Sequence, residues 1–222
     1  MLFASRFRIN KPMKTNIIIG ITLIAWSSLG QTNSPITTQV QTNLQVATPE
    51  MVLSNQMQAV RRAMPQYFEF SRDEVDQTIA ISLNEYMVLE DDNGATLRAD
   101  VDAFVHPPKE YADKISLHFV SQTSEWRFLD NHNFIIRYDD KTLSPDADYS
   151  NKIFFGGVAE SFFPDFTLEQ FHDIAWADKV FVKLGYLNYE IPYEDRQKWK
   201  LLWKYFDLKK KQADADLSKA VQ

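Results

Sequence analysis

The 222-residue chain contains no cysteine. That absence excludes a disulfide framework, thiolate-held zinc or iron–sulfur centres, catalysis by a thiol and a lipid-modified cysteine. Glycine is scarce, at six residues, and none belongs to a Walker A loop or a dinucleotide fingerprint. No serine lies in GxSxG or SxxK, so no catalytic residue is assigned. Histidine is limited to His106, His118, His132 and His172. No two are three or four residues apart, so the chain offers no local zinc pair, and neither a metal nor a cofactor is expected. Charge is missing altogether from Gln31 to Pro49, a stretch of Gln, Asn, Thr, Ser and aliphatic residues with two prolines. Such a composition reads as a linker over residues 31–50.

Ahead of that linker stand Arg6, Arg8, Lys11 and Lys14, then an uncharged, mostly apolar run from Asn16 to Gly30 that ends in Ser28, Leu29, Gly30. This is the pattern of a secretory signal peptide over residues 1–30, with Met13 of "MKTNIII" as an alternative start. At about 1.5 Å rise per residue the run reaches roughly 22 Å, short of a hydrocarbon core of about 30 Å. Membrane contact is therefore expected only through an unprocessed leader. The chain carries 24 Lys and Arg against 30 Asp and Glu. Removing residues 1–30 takes away four basic residues and no acidic one, moving the formal net charge from −6 to −10. A field of that sign repels phosphate, so nucleic acid is excluded as an expected partner. The expected location is periplasmic or secreted.

Residues 51–208 suit one domain. Met51 to Met64 forms a short helix that Pro65 stops. From Ile79 the apolar period is two. Ile79, Ile81, Leu83, Met87 and Leu89 share a face, Asn93-Gly94 supplies a hairpin signal, and Leu97, Ala99, Val101, Ala103 and Val105 return with Arg98, Asp100, Asp102 and His106 on the other side. Ile115, Leu117 and Phe119 mark a third strand. "WRFLDNHNFIIRYDD" reads as a hairpin turning at Asp130 to Asn133, followed by a polar loop, "DDKTLSPDADYSN". "KIFFGGVAESFFPDF" reads as a sixth strand, in which Gly156-Gly157 signals a bulge or the close approach of another backbone.

Thr167 and Gln170 match a capping box for a short helix. Gly185-Tyr186 fits a two-residue turn that pairs Leu184 with Leu187, Val182 with Tyr189 and Val180 with Ile191, which places all six on one face. After Pro192, Trp199, Leu202, Trp203 and Phe206 make a helical stripe. Residues 209–222 have no such stripe and are expected to fray as a charged tail. The pattern predicts an α+β domain. Its mainly antiparallel sheet has about seven or eight strands, split into two layers if sandwich-like, with a short helix and a long C-terminal amphipathic helix packed on it.

The candidate ligand-binding residues are Glu85, His106, His118, Trp126 and Tyr138. Glu85 falls on the aliphatic side of its strand, where a carboxylate needs a partner such as Arg98, or else a bulge that turns it outward. His106 and His118 project from the polar sides of their strands and can share a metal only if those positions adjoin. Trp126 and Tyr138, with Tyr149 and Phe154, are aromatic residues that the alternation does not bury. The acidic stretches "EDDNG" and "DDKTLSPDADYSN" lack the spacing of a calcium loop. The expected function is a non-enzymatic exported domain whose sheet face or strand edge binds another protein or a cell-envelope component. The alternative is a hydrolase or carbohydrate-binding domain that uses aromatic and acidic residues on the polar sheet face. Mass spectrometry of the mature chain is expected to find Gln31 as its first residue; a mature chain retaining residues 13–30 would show that the leader is not cleaved.

Overall fold

The computed structural model describes residues 48–91 and 94–220, so the leader and most of the linker lie outside the described residues. Helix α1 (Pro49–Ala63) starts at Thr48, whose hydroxyl accepts the Met51 amide at 3.3 Å. Pro65 ends it by forcing the chain into a single 3-10 turn, Met64–Gln66. Nine strands follow: β1 (Phe68–Arg72), β2 (Ile79–Leu83), β3 (Met87–Glu90), β4 (Thr96–Val105), β5 (Lys114–Thr123), β6 (Phe134–Tyr138), β7 (Lys141–Leu143), β8 (Ala147–Phe154) and β9 (Gly157–Thr167). Helix α2 (Leu168–Trp176), strands β10 (Val180–Leu184) and β11 (Leu187–Glu190), and helix α3 (Tyr193–Ala220) complete the chain.

The strands form two antiparallel sheets. The larger has seven strands in the order β1-β2-β4-β5-β9-β8, with β3 on the same edge of β4 as β2; the smaller runs β11-β10-β6-β7. The fold is α+β, as the patterning implies. Apolar residues from the inner face of the large sheet, such as Ile81, Val101, Leu117 and Phe162, share one core with Ile136, Val182 and Tyr189 of the small sheet. Trp199, Leu202 and Phe206 of α3 belong to the same core and are fully buried. Burying side chains of this size contributes on the order of 1.5–3 kcal/mol each, enough to hold the helix on the sheet.

Local chemistry accounts for the elements that match expectation. The Thr167 hydroxyl accepts the Gln170 amide at 3.2 Å, and the Gln170 side chain accepts the Thr167 amide at 2.9 Å, which closes the capping box of α2. Gly185, at φ +56, makes the β10–β11 turn, and Leu184 pairs with Leu187 and Val182 with Tyr189. Gly157 answers a different need, because a Cβ there would sit 2.2 Å from the Thr123 carbonyl oxygen.

Four departures have physical reasons. The strand expected over Ile79–Leu89 is broken after Leu83, because Asn84 to Tyr86 bulge out between the Ser82–Asp102 and Met87–Ala99 pairs. "WRFLDNHN" is not half of a hairpin: β5 and β6 belong to different sheets, and the segment is the crossing between them. The polar stretch 139–151 holds β7 and half of β8, and "KIFFGGVAESFFPDF" is two strands that turn at Phe155-Gly156. Beyond Leu208 the expected tail remains helical to Ala220, where Lys209 pairs with Glu110 at 2.6 Å and Lys219 with Glu50 at 3.2 Å. Those partners lie far off in sequence, so the local pattern of residues 209–222 carries no sign of them.

Glu160, on the inner face of β9, is fully buried. One carboxylate oxygen accepts the Arg127 amide at 2.7 Å; the other accepts the Phe128 amide at 2.9 Å and the Tyr149 hydroxyl at 2.9 Å. This side chain holds the β5–β6 crossing against the sheet. Glu160→Ala leaves two amides and a hydroxyl without an acceptor, and urea unfolding is expected to show a loss of about 3 kcal/mol or more, with a smaller loss for Glu160→Gln.

Candidate functional site on the open face of the large sheet

Strand alternation sends every second residue of the large sheet away from the core. The outer face so formed carries Arg98, Asp100, Asp102 and Phe104 of β4, Ser116, His118 and Val120 of β5, and Phe163 and Asp165 of β9. The small sheet and the helices contribute their buried residues to the core on the opposite side. Tyr86, Val88, Phe104 and Phe163 remain exposed on the outer side.

Two shallow depressions mark this face. The central one, about 200 Å³, is lined by Tyr86, Arg98, Asp100, His118, Val120 and Gln122. His118 lies opposite Asp100 in register and stacks on Phe163, with ring centroids 4.2 Å apart at 17°. The Arg98 guanidinium lies 4.6 Å over the Tyr86 ring. Burial pushes the His118 imidazole below its ordinary value, against the opposing pull of Asp102. Burial likewise raises the Asp100 carboxyl, in part offset by the Val101 amide that it accepts at 2.7 Å. The β5–β9 ladder skips Leu117 and His118, and Pro164, which has no amide hydrogen, stands opposite Leu117.

The second depression, about 290 Å³, lies at the far end of β4 and is lined by Phe104, His106, Lys109, Tyr111, Asp113, Lys114, Ser116 and Asp165. Its charges answer one another. Lys109 meets Asp113 at 2.5 Å, Lys114 meets Asp165 at 3.6 Å, and the Ser116 hydroxyl donates to Asp165 at 2.5 Å. His106 Nδ1 is 3.0 Å from the Thr78 hydroxyl. Together these groups offer donors and acceptors to a polar partner, with Phe104 and Tyr111 as the apolar part of the rim.

The candidates named from the sequence do not converge. Glu85 is exposed in the β2–β3 bulge and borders another depression with Lys198. His106 lies six residues beyond Asp100, the partner of His118, so the two histidines stand about 20 Å apart. Trp126 is half-buried in the β5–β6 crossing. Tyr138 is the clear departure: it is only 5% exposed, in the core between the sheets, because β6 turns that side inward. Asp139 of the acidic stretch spends its carboxylate on the Asp178 amide at 2.8 Å. Among the described residues, no three His, Cys, Asp or Glu side chains are grouped as metal ligands.

Sequence reasoning did place Arg98, Asp100 and Asp102 on the polar side of β4. It missed Phe163, because "SFFPDF" is apolar on both sides and carries no alternation to read. It also missed the aromatic cluster in which His172 contacts Trp176 and Trp203, with centroids at 4.6 and 4.7 Å. Comparison with protein-family models, curated proteins and solved structures returned no match. What stands on geometry alone is an α+β domain whose large sheet has one covered face and one that the described residues leave open.

Because the His118 value is lowered, this imidazole is less protonated in the folded than in the unfolded chain between its lowered value and about pH 6.5. Its stabilising share is present above about pH 6.5 and is lost as pH falls through the lowered value. Urea unfolding between about pH 7.5 and pH 5 is expected to show a shallower loss for His118→Gln than for the native chain.

Proposed function

We propose that this chain is an exported, non-enzymatic binding domain that docks another protein or a cell-envelope component on the outer face of its large sheet. The observation that carries the reading is the exposure of Tyr86, Val88, Phe104 and Phe163 among charged groups on a sheet face that no other described element covers. Tyr86 lines the central depression and Phe104 the far one, so each offers a partner an apolar contact of the kind that interaction sites use. The mixed charges around them supply orientation and selectivity. The export part of the proposal rests on the sequence of residues 1–30. Among the described residues, no helix is long and apolar enough to cross a membrane.

A second reading, recognition or hydrolysis of a carbohydrate on the same face, is supported by the stacked His118–Phe163 pair beside Asp100. The two readings separate experimentally. Cosedimentation of the purified protein with its own cell-envelope fraction, before and after enzymatic removal of glycans, distinguishes them. The first reading expects binding to survive deglycosylation and to fall at least about tenfold in Phe104→Glu/Phe163→Glu, the equivalent of one lost apolar anchor. Binding that survives in that variant, with its unfolding midpoint unchanged, overturns the outer face as the docking surface.

A further inference from the structure

We propose that β8 pairs with β8 of a second copy of this chain, antiparallel and across a two-fold axis at Ser150, so that the two large sheets become one. This inference rests on the strand edge and not on the outer-face reading.

Among the described residues β8 ends the large sheet, with β9 on one side only. The two-residue turn at Phe155-Gly156 makes Phe154 and Gly157 a bonded pair, so the alternate positions Lys152, Ser150 and Asp148 also bond to β9. Ala147, Tyr149, Asn151 and Ile153 then turn their amides and carbonyls to the open side. Such a row is a template for another strand. A symmetric antiparallel partner satisfies it only in registers that set these four positions against one another.

Charge selects among those registers. With the axis at Ser150, Asp148 faces the partner's Lys152 and Lys152 faces the partner's Asp148. Ala147 meets the partner's Ile153, a residue otherwise 73% exposed. Moving the axis to Asn151 sets Lys152 against serine. Moving it to Tyr149 strands Asp148 and relies on Asp146, which precedes the strand. Neither Asp148 nor Lys152 has an ion pair among the described residues. Four residues apart on one strand, they stand about 13 Å from each other and cannot pair within a chain. A charge that merely guards an edge needs no opposite charge at the symmetry-related position. The pattern Asp-x-Ser-x-Lys is complementary to itself.

The absence of cysteine makes the test direct. Ser150→Cys gives one thiol per chain, and on the axis of a non-bonded antiparallel pair the two Cα atoms lie about 4.5 Å apart, within disulfide range. Mild oxidation of the full chain is expected to give a disulfide-linked dimer with Ser150→Cys and none with Asp148→Cys, whose copies lie about 13 Å apart in this register. In the cysteine-free chain, sedimentation velocity is expected to show a dimer that Lys152→Asp or Asp148→Lys weakens at least about tenfold and that the double exchange restores. Circular dichroism checks that each variant is folded. A chain that stays monomeric at every concentration, a dimer the double exchange does not restore, or cross-linking at 148 and not at 150, overturns the proposal.

Discussion

A strand cannot bury both of its sides with one partner layer, and that constraint organises this molecule. The large sheet has a single inner face, and everything else in the described chain packs against it or extends its core: the small sheet, the stripe of α3, and the buried sides of α1 and α2. Once Val101, Leu117 and Phe162 are committed inward, Asp100, His118 and Phe163 have no choice but to face out. The open face is thus a consequence of the core before it is anything else, and its apolar members are what give it functional interest.

The core is not held by apolar contact alone. The crossing from β5 to β6 carries the chain from one sheet to the other and exposes backbone amides to the interior. Glu160 accepts two of them and Tyr149 completes the set, pushing that tyrosine hydroxyl up to about 12 through burial and the neighbouring carboxylate. Arg196 does comparable work elsewhere: its guanidinium donates to the carbonyls of Ala177 and Asp178, where α2 ends and β10 is about to begin. Each group is buried because it satisfies backbone atoms that the change of layer would leave unpaired.

Legibility followed the strength of local pattern. Strand β4, with its ten alternating residues, was readable to the face of each side chain, and so was the β10–β11 hairpin, where turn and pattern demand one register. The break at Glu85 was not readable, because a bulge needs to be seen from the partner strand. Strand β8 was hidden for a related reason. An edge strand with one neighbour and mostly exposed side chains has no buried side to write into its sequence, so it looks like a polar loop. Tyr138 was misjudged because its side of β6 is set by which layer covers it.

The sequence alone determined the class of fold, the alternation of the long strands, the caps and turns, and the excess of acidic over basic residues. These are properties of neighbours along the chain, decided by sterics and hydrogen bonds over a few residues. Only the tertiary structure decided which strand edges stay open, which polar side chains become buried anchors and which aromatic residues share a surface. Those outcomes depend on contacts between segments far apart in the chain, as far as Glu50 from Lys219, and no local pattern encodes the identity of a distant partner.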